Sequence, residues 1–586
     1  MNKLFKKSIK TLFVCSTLFS LVGCNNTNNQ ADLVVYSKIY TSNSNHDYVE
    51  AFAVKDGKYI YVGDRQGANK YIKSGVTTII DRSNNGLVMA GATEGHGHYV
   101  MSTVMEKKGL FMDLNKQGST TESITKYIID FLKNIVNTHP NDNMYLTYGW
   151  NNLKLKGIKE SLDMRSELDK ISSTKIIIAI DDTGHNIFMN SKAIEAAKFP
   201  SSGVIEGGFL SKDSNGKLLG LAEDVAMNWA MKNILTDNKF LSTEDFTESI
   251  KEMTNKLHNY GYTNYLDAYT SYFGGAAYEG LYEYDKKYGL TVNVNGCYKI
   301  DPFEDVNSTL ETAVSYSSKY TSTHFKANGI KLFADGECVE SKSGWVINPY
   351  KDGSYGVQVW KDEDMYNVVK LANQKGLSVH VHASGDAATK QAVDAFVKAE
   401  PTAAKGVLNG LGHSRHITEE TLNLMAQHNI YSATNVGWRI YADSQLDYIN
   451  SNYDYDWYMS GYPLKSLFDK GITITGSTDY PSTSGSPCDI LNLIEMATNG
   501  TYDYSLVPEG EAVHPLNTKE CITVQQALDL YTINGAKEMG LDSTRGSIEV
   551  GKYADFLFLD QDITNIDLDK IHTAKIESVY FEGKVQ

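Results

Sequence analysis

The sequence predicts an α/β protein: a (β/α)8 barrel with an inserted subdomain, and a composite β-sandwich made from the N- and C-terminal segments. Three observations lead there. Compact apolar strands alternate with helical stretches over roughly four hundred residues, which favours a parallel barrel. Both ends of the body carry the alternating texture of hairpins. One interval, about residues 101–235, is too long for a single barrel unit and therefore reads as an insertion. The chain has 586 residues, 41% hydrophobic and 22% charged, so a large buried core is available to such a fold.

At the N-terminus, Lys3, Lys6, Lys7 and Lys10 precede the apolar run from Leu12 through Leu21-Val22-Gly23-Cys24. A basic start followed by a short apolar segment is the form of a secretory leader, and the run is too short for a comfortable membrane span. Leu-Val-Gly-Cys resembles a bacterial lipobox, so residues 1–24 are expected to be a lipoprotein signal with Cys24 as the lipidated residue. An ordinary cleaved signal, or an uncleaved anchor, is the alternative. Residues 25–30 then form a polar tether with nothing to bury. The expected location is extracytoplasmic, lipid-anchored to a bacterial membrane.

The body opens with strand candidates Leu33 to Ser37, Tyr48 to Val54 and Tyr59 to Gly63, the last two joined by an Asp56-Gly57 turn. The C-terminus repeats this texture from Gly546 to Asp560 and from Ile576 to Phe581. Segments 31–85 and 540–586 are therefore expected to pair into one β domain, and 86–539 to form the barrel. Barrel strand candidates are Lys175 to Ile180, Gly329 to Phe333, Leu377 to His382, Val407 to His413 and Ile472 to Asp479. Glu363 to Lys375 and Ala387 to Ala399 repeat apolar residues at three- and four-residue spacing, as helices do.

A net charge of -16 and a pI near 5.4 argue against a general nucleic-acid binder, which needs a basic face for phosphates. Outside the leader, Cys297, Cys338, Cys488 and Cys521 show neither CxxC spacing nor a disulfide framework.

The chemistry-bearing residues begin with His96-Gly97-His98. Side chains two apart on a strand point the same way, so both imidazoles can face one ion. Lys331, His382, His413 and Asp479 fall in or at the ends of later strands, and a parallel barrel gathers such ends on one face. Each has an ordinary reading alone: Lys331 a surface amine, His380 or His382 a packed core ring, His413 or His416 a helix-start residue, Asp479 an N-cap. Together with His96 and His98 they point to a metal.

The motifs His96-Gly97-His98, Val381-His382-Ala383-Ser384-Gly385-Asp386, Gly412-His413 and Ser477-Thr478-Asp479-Tyr480-Pro481 resemble, in order, the metal-site motifs of the amidohydrolase superfamily. The likeness is greatest to amidohydrolase family 3, the branch that includes N-substituted formamide deformylase. Gly184-His185, Lys331-Leu332-Phe333-Ala334-Asp335-Gly336 and the segment from Gly546 to Asp555 extend it. Two departures stand out: Glu94 occupies a position where the family usually has Asp, and Gly412 lacks the family's common Arg-Ile-Glu lead before the histidine.

The resemblance implies His96 and His98 as ligands of one divalent metal, His382 and His413 as ligands of a second, and Asp479 beside the water it activates. Zinc is the expected metal, as one or two ions. Lys331 matches the place of a carboxylated lysine that bridges two ions in some relatives, a role a free ammonium cannot fill. The expected reaction is hydrolysis of an amide or related C–N bond in a small molecule, with Asp479 as base and His185 polarising the carbonyl or orienting a neighbour. Asp386 and His416 are expected behind the ligands, and Tyr480, Trp438 and Trp345 around a pocket. A lipid-anchored solute-binding or adhesive protein without catalysis is the competing class.

Overall fold

The computed structural model describes residues 30–83, 86–338, 342–482, 487–504 and 512–586. The leader, with Cys24, lies outside the described residues.

Eight parallel strands form the centre: β1 (Ala92–Gly97), β2 (Tyr262–Asp267), β3 (Asn293–Lys299), β4 (Phe325–Phe333), β5 (Ser378–Ala383), β6 (Gly410–His413), β7 (Tyr431–Asn435) and β8 (Ile474–Ser477). Each hydrogen-bonds to the next in chain order. Past the end of β8, the Asp479 N–H donates to the His96 carbonyl at 2.8 Å, drawing the last strand back to the first. The result is a nearly closed barrel.

Helices Thr243–Asn259, Ala276–Tyr288, Val306–Lys319, Asp362–Gln374, Asp386–Ala399 and Glu419–Gln427 fill the six crossovers from β1 through β7. The first shows why these segments are helical. Phe246, Ile250, Met253 and Leu257 recur at helical spacing and are buried, while Ser242 and Asp245 form a reciprocal capping box at its start.

Strands β2, β3 and β7 lack the apolar runs that mark a buried strand in sequence, because polar residues interrupt them. Asn264 and Asn293 are buried inside the barrel and bonded to each other, Nδ2 to Oδ1 at 2.9 Å. Lys175 to Ile180, by contrast, reads as a barrel strand in sequence but belongs elsewhere. Ile176–Asp181 lies in a separate five-stranded sheet with Met144–Trp150, Asn186–Met189, Gly208–Lys212 and Leu218–Asp224. This sheet is inserted between β1 and β2. Ile177, Ile178 and Phe188 are buried in the same continuous core as the barrel's apolar residues, so periodicity alone cannot tell such a strand from a barrel one.

The chain ends meet in one eight-stranded sheet that combines five N-terminal strands with Phe556–Leu559, Ile576–Phe581 and Lys584–Val585. Leu33–Tyr40 is its branch point. Its first half pairs parallel with Thr78–Asp81, its Ile39 pairs with Val88, and its other edge pairs antiparallel with Tyr48–Lys55. Alternate residues serve two cores: Leu33, Val35 and Phe52 pack with Phe556 and Phe558, whereas Val34, Tyr36 and Ala51 pack with Ala68.

Candidate metal centre

Each barrel strand delivers a polar side chain at or near its C-terminal end. In order these are His96, Asp267, Lys299, Lys331, His382, His413, Asn435 and Asp479, the last two residues beyond β8. All are buried. Five of them, with His98, His185 and Asp335, line one cleft.

The tightest grouping is His96, His98 and Asp479, whose ligand atoms all lie within 4.8 Å of one another. Asp479 Oδ1 stands 3.0 Å from His98 Nε2 and 3.4 Å from His96 Nε2. It is buried and accepts no hydrogen bond from any described residue. A buried carboxylate oxygen facing two imidazole nitrogens is suited to a cation.

The rings are turned by their far nitrogens. His413 Nδ1 lies 2.8 Å from Asn435 Oδ1, an acceptor, so this nitrogen carries the proton and Nε2 keeps its lone pair. His382 Nε2 donates to the Gly336 carbonyl at 3.0 Å, which leaves Nδ1 as the free nitrogen. His96 Nδ1 is 2.7 Å from His380 Nε2. The His382 and His413 rings are 4.2 Å apart, and His413 is 4.7 Å from His96. Burial, foremost among the causes, pushes His96, His382 and His413 well below the usual histidine range. These imidazoles are neutral and able to donate lone pairs to a metal.

Lys331 is fully buried, its Nζ 3.2 Å from His96 Nε2 and 4.7 Å from the centre of the Phe333 ring. Burial lowers its pKa to about 7, so a neutral amine is accessible there. His185 reaches the cleft from the inserted sheet. Its Nδ1 is 2.9 Å from Asp224 Oδ1, and its ring is 5.6 Å from His382. Burial alone would lower the His185 pKa; the Asp224 carboxylate outweighs it and raises the value above the ordinary one.

Other expected residues lie behind or beside the cleft. Asp386 Oδ1 accepts the Ile347 N–H at 2.8 Å and so holds a neighbouring loop. His416 is stacked on Trp457 at 3.7 Å. Trp438 stacks on His413 at 5.6 Å, a backing surface for a ligand ring. Tyr480 stacks on Tyr99 and bonds Glu106 and Lys256 away from the cleft. Trp345 contributes its backbone N–H to Asp335 and does not line the cleft.

Glu94, the departure from the family pattern, joins the barrel seam. Its Oε1 accepts the N–H of His96 and the N–H of Thr478, each at 3.0 Å, and burial raises its pKa to about 8. His413 and Asp479 have φ of 72° and 58°, the left-handed region, which costs a non-glycine residue about 1–3 kcal/mol and turns each side chain off its strand end.

Sequence reasoning passed over Asp335, Asp224 and the part played by His380. Asp335 accepts the N–H groups of Ser384, Gly385 and Trp345 at 2.8–3.0 Å, tying the turn after β5 to the loop after β4; burial nevertheless raises its pKa to about 8. His380 had a usable signal, since it shares the face of His382 two residues on. Asp224 had none.

Comparison with known proteins shows the family and the fold. The family model described as "Amidohydrolase family" matches residues 83–586. YtcJ of Bacillus subtilis is 26% identical over 560 residues, 93% of this chain and 97% of its own length. N-substituted formamide deformylase of Arthrobacter pascens is 22% identical over 443 residues, covering 72% of this chain and 74% of that enzyme. In fold, an uncharacterized metal-dependent hydrolase from Pyrococcus horikoshii superposes with a TM-score of 0.67 at 21% identity, over 92% of this chain and 99% of that one. With a family match running from the end of the first β segment to the last residue, and a barrel whose strand ends carry the matching motifs, this chain belongs to the amidohydrolase family.

Proposed function

We propose that this protein is a zinc-dependent hydrolase that cleaves an amide or related C–N bond of a small molecule outside the cytoplasm. The observation that carries the reading is the convergence at the mouth of the barrel of His96, His98 and an Asp479 Oδ1 that faces both rings and accepts no hydrogen bond from the described residues. The donor set suits a divalent ion: two imidazoles and a carboxylate for one, with His382 and His413 beside them for a second. When bound, such an ion lowers the pKa of a water and polarises a carbonyl.

The chain's own residues then divide the work. Asp479 takes a proton from the attacking water and returns it to the leaving amine, a double duty that requires its place at the centre of the cluster. His185, held in its charged form by Asp224, donates a hydrogen bond to the substrate carbonyl oxygen as negative charge develops there. The neutral Lys331 amine adds to CO2, forming an N–C bond and releasing one proton to solvent, and the resulting carbamate would supply oxygen ligands to the metals. Cys24, once lipidated, holds the enzyme at the membrane surface.

The decisive experiment is a hydrolysis screen of N-acyl and N-formyl amines with and without chelator, alongside metal analysis of the purified protein. The reading expects one or two zinc equivalents and chelator-sensitive turnover, with metal lost in a His96→Ala, His98→Ala double variant. Metal-free wild-type protein with no hydrolysis would sink it. For the anchor, metabolic labelling with radioactive palmitate is expected to mark the wild type and not Cys24→Ala; equal labelling refutes lipidation at that residue.

A further inference from the structure

A ring outside the ligand set fills the space behind His96. His380 is 2% exposed, and its Nε2 lies 2.7 Å from His96 Nδ1, with the two ring centres 4.7 Å apart at 61°. On its other side, His380 Nδ1 is 3.0 Å from the Tyr431 hydroxyl, and the Tyr431 ring stacks on it at 5.9 Å. Three strands therefore contribute one line of contacts, Tyr431 from β7, His380 from β5 and His96 from β1.

Gly412 makes room for this line. A Cβ there would stand 2.6 Å from His96 Nδ1 and 2.8 Å from His380 Nε2, closer than real Cβ contacts occur. Any side chain at 412 would displace the pair.

We propose that His380 is a positioning residue that fixes the tautomer and orientation of His96 for metal binding, with Tyr431 holding His380 in turn. The inference rests on the proposed role of His96 as a ligand. Its logic is proton bookkeeping along one line. His96 Nε2 faces Asp479 and Lys331, so a ligand role requires the lone pair there and the proton on Nδ1. That proton is donated to His380 Nε2, which must then be the unprotonated nitrogen. The His380 proton consequently sits on Nδ1 and is donated to the Tyr431 oxygen. The reverse polarity would place a proton on His96 Nε2 and close the site to a cation. A ligating histidine is usually braced by a carboxylate or a carbonyl; here a second neutral imidazole serves.

The test is zinc competition on the full-length protein, in which the zinc-loaded form is titrated with a chromophoric chelator while near-UV dichroism monitors folding. His380→Leu, which has no acceptor, is expected to weaken zinc by about 10–100-fold, the usual effect of losing such a brace. His380→Gln, whose amide oxygen can accept from His96 Nδ1, is expected to restore most of the affinity. Cobalt-substituted protein adds a spectroscopic readout: its visible bands should shift in His380→Leu and return in His380→Gln. Tyr431→Phe removes a single hydroxyl and keeps the ring, so it covers the case in which His380→Leu does not fold; it is expected to weaken zinc in the same direction. Wild-type affinity in His380→Leu, or in Tyr431→Phe if the leucine variant is unfolded, overturns the inference, as does a glutamine variant as weak as the leucine one. A wild-type protein that takes up no zinc fails the reading of the site itself and this inference with it.

Discussion

At the scale of single residues, the centre works by leaving particular atoms without protein partners. Asp479 Oδ1 is buried and free of hydrogen bonds among the described residues, while the far nitrogens of His96, His382 and His413 are each engaged. Such a carboxylate is costly unless a cation or a proton in transit compensates it. Asp479→Asn preserves shape but removes the basic oxygen. It is expected to lower kcat by at least about 10²–10⁴-fold while zinc remains bound through the histidines, checked by steady-state kinetics with metal analysis on the same sample. Retained turnover would reassign the base.

At the scale of elements, the inserted sheet matters because it brings chemistry that the barrel strands do not supply. Asn186–Met189 begins just after His185 and pairs with Leu218–Asp224, so His185 and Asp224 are brought together across one antiparallel register. Asp224 raises the His185 pKa, and the proposed role needs the charged ring. Asp224→Asn is therefore expected to pull the alkaline limb of the kcat/KM profile to lower pH, because His185 then loses its proton earlier. An unmoved alkaline limb would remove His185 from the reaction. The insertion was legible in the sequence as an interval too long for one crossover; its strand content was not separable from the barrel's, since both are short buried apolar runs.

At the scale of the whole molecule, the terminal sheet is locked to the barrel through charge. Arg545 pairs with Asp555 and Glu582, and Glu582 also meets His324 Nε2 at 3.3 Å, just before β4. Asp555 and Arg545 are both buried, so Arg545→Met would strand a carboxylate and is expected to cost about 3–5 kcal/mol, measured by urea unfolding. The same network makes stability depend on pH. Burial alone would lower the His324 pKa, but the Asp285 and Glu582 carboxylates raise it to about 9. Its contribution is complete below the unfolded value of ~6.5 and is lost as pH rises through about 9. Glu582, which burial alone would raise, is held at about 2 by His324 and Arg545, so its contribution is present above ~4.3 and lost as pH falls through about 2. The urea midpoint of wild type should exceed that of His324→Gln at pH 5.5, and the gap should close near pH 9.5. A gap independent of pH would place the stabilisation elsewhere.

The architecture was legible in one dimension, and so were the histidines and the aspartate that the strand ends gather. Period-two hairpins at both ends, alternating strands and helices, and the order of His96, His98, His382, His413 and Asp479 are local patterns that survive in one dimension. Which atoms face one another is set by the folded barrel. β2 and β3 were obscured because buried Asn264, Asn293 and Asn295 are satisfied by partners distant in the chain, β7 because Ser432, Thr434 and Asn435 break its apolar run, and Asp224 and Asp335 act through contacts that no spacing records. His380 shows the difference most directly: alternation puts it on the inward face of β5, but its use depends on the empty space at Gly412 and on a hydroxyl from β7. Hydrogen bonds between strands are fixed by the closure of the barrel, and closure is a property of all eight strands at once.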